Sequence, residues 1–138
     1  MSLASIQVAL DTKLQTLAGF DPAQCAWIGV PFTPKVGTPY IAPKVSAISR
    51  TRIGSGQFGT VYIKGNYQIS LFYPINNGTA ALRAQQDAVI ALFSQGTTLT
   101  TSDGWLVRCD APTPMPDYQD GEWVQAPIIV PWFVHYDP

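Results

Sequence analysis

Apolar residues near the start of the chain recur at helical spacing. Leu3, Ile6, Leu10, Leu14 and Leu17 follow one another at steps of three, four, four and three, which aligns them in one narrow stripe. Asp11, Thr12, Gln15 and Thr16 fall away from the stripe, and Val8 is expected to be exposed. Ser2 stands at an N-cap position and Gly19 where a helix stops. The pattern then changes to period two. Ala26 to Phe32 reads as a strand ended by Pro31 and Pro34, and Ile41 to Ile48 as a second strand with imperfect alternation. In that second run Val45 and Ala47 oppose Lys44, Ser46 and Ile48. Arg50 to Gly59 reads as a glycine-rich connection. Val61 to Tyr73 is the longest β-branched and aromatic run, with Tyr67, Ile69, Leu71 and Tyr73 on one face, Gly65 marking a bulge or break, and Pro74 as the stop.

A second amphipathic helix is predicted from about Thr79 to Phe93. Ala81, Leu82, Ala84, Ala88, Val89, Leu92 and Phe93 share its apolar arc, whereas Arg83, Gln86, Asp87 and Ser94 take the polar one. Gln85 interrupts the apolar arc and Ile90 the polar arc, which makes Ile90 a candidate contact for a partner. Thr98–Thr101 and Trp105–Cys109 flank Ser102-Asp103-Gly104, a hairpin signal. Ala111 to Gly121, which includes Tyr118, reads as an extended proline-rich loop. Trp123 to Tyr136 is the closing strand or pair of strands, and Pro127 and Pro131 require an edge or a bulge because they have no N–H. The expectation is an α+β fold, a mostly antiparallel sheet with two helices packed on one face, in a single domain over residues 1–138.

Composition changes that picture in one respect. Of 138 residues 46% are hydrophobic and only 12% charged, about half the usual charged share of roughly 25%. A chain of this length buries roughly two-thirds of its unfolded surface. With so few charges the remaining surface must carry apolar area, which marks interfaces and favours an oligomer. The net charge of −1 gives no field favouring DNA or membrane headgroups as main partner, and no apolar run approaches the roughly 20 residues that span a bilayer. The first residues lack the basic start, apolar run and cleavage site of a secretory signal. Cys25 and Cys109, with no CxxC and no neighbouring His, read as two buried thiols.

The inventory for chemistry is thin. Gly54-Ser55-Gly56-Gln57-Phe58-Gly59-Thr60-Val61 spells the glycine-rich phosphate loop of kinases and, in part, a dinucleotide fingerprint. A dinucleotide site needs a helix after the glycines, but Val61-Tyr62-Ile63 continues as strand. A kinase needs HRD and DFG motifs that are absent, and Lys64 follows Val61 too closely for the strand-borne lysine. His135 has only Asp137 as a charged neighbour in sequence, and the spacing of Asp110, Asp117, Asp120 and Glu122 fits no EF-hand loop. No catalytic residue, cofactor or metal site is expected. Trp105, Trp123 and Trp132 read as core and interface anchors, since no basic groove accompanies them.

Leu10-Asp11-Thr12, Thr38-Pro39-Tyr40, Phe72-Tyr73-Pro74 and Pro127-Ile128-Ile129 stand in that order along the chain, and the four segments around them resemble the tail-terminator-like proteins of tailed bacteriophages, the minor tail protein U-like group. Ala9-Leu10-Asp11-Thr12-Lys13-Leu14 resembles the opening helix of that family. Pro31-Phe32-Thr33-Pro34 with Gly37-Thr38-Pro39-Tyr40-Ile41 is similar to its first strand and loop. Lys64-Gly65-Asn66-Tyr67-Gln68-Ile69, Phe72-Tyr73-Pro74 and Gly78-Thr79-Ala80 resemble its central signature. Trp123 with Pro127-Ile128-Ile129-Val130-Pro131-Trp132 looks like its closing strand, while the Gly54–Gly59 loop departs from the pattern.

The resemblance implies a small structural subunit of the virion tail, assembled in the host cytoplasm. It implies a homo-oligomeric ring, with six copies expected, that caps the tail tube and ends its growth. Its partners would be further copies of itself, the tail tube protein and the head–tail connector protein, with DNA only passing through the lumen and no membrane involved. Arg50, Arg52, Ile90 and Tyr118 are the candidate residues for contacts between subunits or with partners. Two alternatives stay open: another head-to-tail joining protein of the neck, and a nucleotide-binding enzyme using the Gly54–Gly59 loop.

Overall fold

A computed structural model describes residues 3–53, 60–75 and 78–136. Helix α1 (Leu3–Leu14) comes first, followed by a 3-10 turn (Pro22–Gln24) and the long hairpin β1 (Tyr40–Ile53) and β2 (Thr60–Pro74). Helix α2 (Ala80–Leu92) leads to the short hairpin β3 (Thr98–Thr100) and β4 (Leu106–Cys109). Two short strands, β5 (Thr113–Pro114) and β6 (Tyr118–Asp120), precede the closing strand β7 (Trp123–Tyr136). The described strands form one antiparallel sheet of seven in the order β1-β2-β7-β4-β3, with β5 and β6 added to β7 on its β4 side. The fold is α+β, as the alternating and helical periods predict.

The core rests on two central strands in unbroken register. Val61, Ile63, Tyr67, Ile69 and Leu71 of β2 are buried, and so are Ala126, Ile128, Val130, Trp132 and Val134 of β7. Their period-two spacing turns all of them to the face that the helices cover. From α1, Ile6, Leu10 and Leu14 are fully buried in the same cluster, joined by Leu17 just past the helix end. From α2, Leu82 and Val89 join, followed by Phe93. Burial of such side chains stabilises by roughly 1.5–3 kcal/mol each before chain entropy is set against it.

Glycine is required at position 65. A Cβ there would lie 2.1 Å from the Ser46 carbonyl oxygen and 2.6 Å from the Trp132 ring, so no side chain fits between strand and indole. Opposite this point β1 carries its bulge, where the register shifts between Ala47 and Ser49. The extra residue explains the imperfect alternation of Ile41 to Ile48. Before the bulge Ile41, Pro43 and Val45 pair with Leu71, Ile69 and Tyr67 on the core face. After it the parity flips, and Arg50 and Arg52 pair with Ile63 and Val61.

Several expectations are corrected. Ala26–Phe32 forms no strand: the sheet contact nearest to it is a parallel bridge between Cys25 and Ile41, and Gly29 at φ 80° turns the chain away. Arg50 to Ile53 belong to β1, not to a connection, while residues 54–59 lie outside the described residues. The Ala111–Gly121 segment is no free loop, because β5 and β6 are zipped onto β7. On α1, Leu3 is 56% exposed and Ser5 takes its place in the covered stripe; Ser2 lies outside the described residues. On α2 the stripe is Leu82, Gln86 and Val89, so Gln86 is buried where the sequence predicts the polar arc, and Ala81 and Ala84 are exposed. Arg83 compensates Gln86 by donating from Nη1 to its Oε1 at 2.7 Å.

Pro127 and Pro131 sit within β7, which is paired on both sides, and the sheet accommodates them through pairing parity. Their carbonyls accept from Met115 N–H at 2.9 Å and Asp110 N–H at 2.8 Å. Since N–H and C=O of one strand residue point the same way, the missing N–H faces the sparse β4–β6 side, and the β2 ladder loses nothing.

Candidate assembly surface

The face of β2 and β7 turned away from the helices is unusual for a sheet side that α-helices leave uncovered. Its centre is polar: Asn66, Gln68 and Ser70, with Gln68 Nε2 donating to Ser70 Oγ at 3.2 Å. Its two ends are aromatic. At one end Tyr40 stacks on Phe72 with ring centroids 4.4 Å apart, Phe32 lies 5.1 Å away and Trp123 packs edge-on at 5.1 Å. At the other end His135 stacks on Tyr62 at 4.6 Å, with Phe133 at 6.1 Å from Tyr62. Tyr40, Tyr62, Phe72, Trp123 and Phe133 are all half-buried, as are Pro127, Ile129 and Pro131 between them. Burial and the neighbouring Asp120 carboxylate push the Tyr40 hydroxyl above its ordinary pKa. Sequence reading misses this face, although alternate positions of the two runs carry these same aromatic and proline residues.

A second apolar feature is the irregular segment before β1, where Ile28, Val30 and Val36 are exposed among prolines 31, 34 and 39. Ile28 and Val30 fall in the strand expected over Ala26–Phe32; they lie outside the core instead.

The four candidate contact residues do not form one patch. Arg50 and Arg52 are exposed on the far end of edge strand β1. Tyr118 is exposed on β6, near the opposite end of β7, and donates its hydroxyl to Gln125 Oε1 at 2.6 Å. Ile90 is half-buried and packs against the core, because the true stripe of α2 is rotated from the expected one.

Ionisable groups in the interior serve the fold. Tyr67 donates to Asp11 Oδ1 at 2.5 Å, tying the middle of β2 to α1. Burial raises the Asp11 pKa, partly offset by hydrogen bonds from Tyr67 and Gln7. Burial, then the Asp11 hydrogen bond, pushes the Tyr67 hydroxyl well up. Cys25 and Cys109 are free and buried, and burial raises their thiols to about 12 and about 11, so neither is a ready thiolate nucleophile. Asp117 is held below the usual carboxylate range by Arg83, 3.1 Å away. Among the described residues no group of three or more His, Cys, Asp or Glu is placed to hold a metal ion. No described helix is long and apolar enough to cross a membrane.

These features define a small α+β protein whose helix-free sheet side and pre-β1 segment carry apolar residues. The chain belongs to the phage tail terminator protein family, which matches residues 5–132, and so to the structural proteins of the phage virion. A solved structure of a protein with no functional name shares the fold with TM-score 0.77 at 21% identity, over 100% of this chain and 99% of its own. A chain in the solved virion of a native gene transfer agent particle is similar with TM-score 0.63 at 16% identity, over 98% of this chain and 100% of its own. No curated protein matches the chain.

Proposed function

We propose that this protein caps the tail tube as a ring, with six copies expected, ends tube growth and offers its other side to the head–tail connector. The observation that carries the reading is membership of the tail terminator family across residues 5–132. The presence of the same fold in a chain of a gene transfer agent virion agrees with it. The physical support is the surface: a sheet side with half-buried aromatics at both ends and an exposed apolar segment at Ile28–Val36 leave area for neighbours to cover. On this reading residues 1–138 act as one assembly unit in the virion tail, built in the host cytoplasm, with DNA passing through the ring and no cofactor. Arg50, Arg52 and Tyr118 are carried forward as contact residues. Ile90 is a weaker probe, since Ile90→Asp disturbs the core as well as any contact.

The test is to add the purified protein to growing tail tubes and measure their lengths by electron microscopy. Tubes are expected to stop at the length present when the protein is added. Tubes that grow on as without it refute the capping role and leave joining at the neck as the reading to pursue.

A further inference from the structure

Two parts of the chain each lack what the other offers. In the β3–β4 hairpin, Cys109 N–H bonds to Thr97 O and Thr101 N–H to Trp105 O, both at 2.8 Å, which fixes the parity of the ladder. Leu99 therefore turns its backbone groups to β4, while Thr98 and Thr100 turn theirs outward, away from the sheet. Among the described residues nothing pairs with these outward N–H and C=O groups. Beside them Val8, Ala9 and Thr12 of α1, with Leu99 and Thr100, line a groove of about 290 Å³, and Val8 is 61% exposed. The other edge of the sheet, β1, is blunted by Pro43, Lys44 and the bulge between Ala47 and Ser49. Strand β3 has no such device and is guarded only by its length of three residues.

The segment before β1 is the converse, a strand pattern that forms no strand. Ile28 and Val30 stand two residues apart and are 64% and 57% exposed. Gly29, at φ 80°, turns the chain between them, and Val30 N–H closes that turn on Trp27 O at 3.1 Å. A glycine adopts extended backbone as readily, so opening this one bond lets the segment straighten. The Cys25–Ile41 bridge ties the segment to β1, and the sheet order β1-β2-β7-β4-β3 puts β3 at the opposite edge. The two features cannot meet within one molecule. Copies placed side by side bring them together, and because the two surfaces differ the contact is head to tail.

We propose that Ala26–Phe32 of one copy adds as a strand to the β3 edge of the next. With Ile28 opposite Leu99 in antiparallel register, Trp27 and Gly29 exchange N–H and C=O with Thr100 and Thr98. Ile28 and Val30 then turn to the side of Leu99 and Val8, and Pro31, which has no N–H, falls past the last pair. The lengths agree. Five extended residues, Ile28–Phe32 on one copy and Thr97–Thr101 on the other, span about 17 Å. The 12 residues of α1 span about 18 Å beside them. Seven residues fall short of the roughly 20–30 a side that bury about 800 Å² in a standard interface, so a single contact is weak, and a closed ring gives each copy two. The proposal rests on the ring reading above and names the contact that propagates the ring. The occupant is a second copy, because this chain itself supplies the unpaired strand pattern; an extended segment of a different tail protein is an outcome of the test.

The experiment uses I28D/V30D, which spoils the arm, and T100P, which removes one outward N–H and no bond of the fold. Both are checked by thermal melting against the parent, and T98P takes the place of T100P if the latter melts early. Sedimentation over a concentration series is expected to show each variant alone associating about tenfold or more weakly than the parent, as loss of a central contact does. Mixed, the two are expected to form dimers and nothing larger, since one intact arm meets one intact edge and both remaining surfaces are spoiled. A parent that stays monomeric throughout overturns the proposal, as does parental association by either variant alone. A mixture that stays monomeric, or that reaches parental size, also overturns it. If T100P associates as the parent does but no longer stops tubes, the edge belongs to a different tail protein. Tube lengths scored on the same samples separate the two readings. A parent that fails to stop tubes refutes the capping function; a parent that stops them while the mixture gives no dimer refutes only the contact of arm and edge.

Discussion

On the helix side of β2 and β7, Tyr67, Ile69, Leu71, Ala126, Ile128 and Val130 are all fully buried, and the indole of Trp132 closes the layer over Gly65. On the other side the same strands present Tyr62, Phe72, Ile129 and Phe133 half-buried around Asn66, Gln68 and Ser70. A sheet covered on one side ordinarily alternates apolar-in with polar-out. Here the outward residues are nearly as apolar at the two ends, and nothing in the fold requires that. The first face is what this chain needs in order to fold. The second holds apolar surface beyond that need, and on the capping reading it is a face for neighbours to cover.

Substitutions on the two faces should therefore separate stability from assembly. The largest effect is expected from Trp132→Ala, which empties the volume of a side chain that is 1% exposed. Loss of about 3–5 kcal/mol in chemical denaturation is expected. Gly65→Ala comes next, at about 1–3 kcal/mol, because its Cβ meets a backbone oxygen that cannot swing aside as a side chain could. A Gly65→Ala protein as stable as the parent would show that β1 and β2 part at this point without cost. On the other face, Tyr62→Ser with Phe133→Ser removes two half-buried rings and should cost no more than about 1 kcal/mol for each. The same pair should abolish tube capping. If it melts the protein as Trp132→Ala does, the face is core; if capping survives, the face is not an interface.

How far the sequence reveals these faces depends on how local their causes are. The long runs Val61–Tyr73 and Trp123–Tyr136 declare themselves, the first by period two sustained over many residues and the second as a long apolar run rich in β-branched and aromatic residues. The hairpin around Gly104 does too, with Thr101 and Trp105 closing it through N–H to C=O at 2.8 Å. The short strands β5 and β6 are illegible because they are strands only through β7 beside them, and Thr113–Pro114 has no pattern of its own. Ala26–Phe32 fails in the opposite sense: Ile28 and Val30 are exposed and only Trp27 packs against the core, without a neighbouring strand beyond the Cys25–Ile41 bridge. Gln86 misleads the wheel of α2, because its burial depends on Arg83 as donor, and the error carries Ile90 to the wrong side. Arg50 and Arg52 stand out in the sequence as contact residues on a supposed loop. One extra residue near Ile48 places them on a strand and selects the face they share with Ile63 and Val61.

The smallest effect tests an acidic side chain that the core holds by a hydrogen bond. The Asp11 carboxyl is raised above its ordinary value of 3.8, burial being the larger cause and the hydrogen bonds from Tyr67 and Gln7 opposing it. A folded-state pKa above the unfolded one means that the native protein binds more protons in the interval between them. Stability then falls as pH rises through that interval, and the deficit is fully present above the folded value. Asp11→Asn keeps an oxygen that can accept from Tyr67 and removes the charge. Well below pH 3.8, where the parent carboxyl is neutral in both states, variant and parent should be nearly equal in stability. At neutral pH the variant should be at least as stable as the parent, and the difference should grow in its favour across the interval. Urea midpoints measured at several pH values read this directly. A variant less stable than the parent at neutral pH would mean that the charged hydrogen bond outweighs desolvation, since bonds to an ionised acceptor reach about 1.5–3 kcal/mol. Asp11 would then act as an anchor between α1 and β2, and the covered face would owe part of its order to a charge.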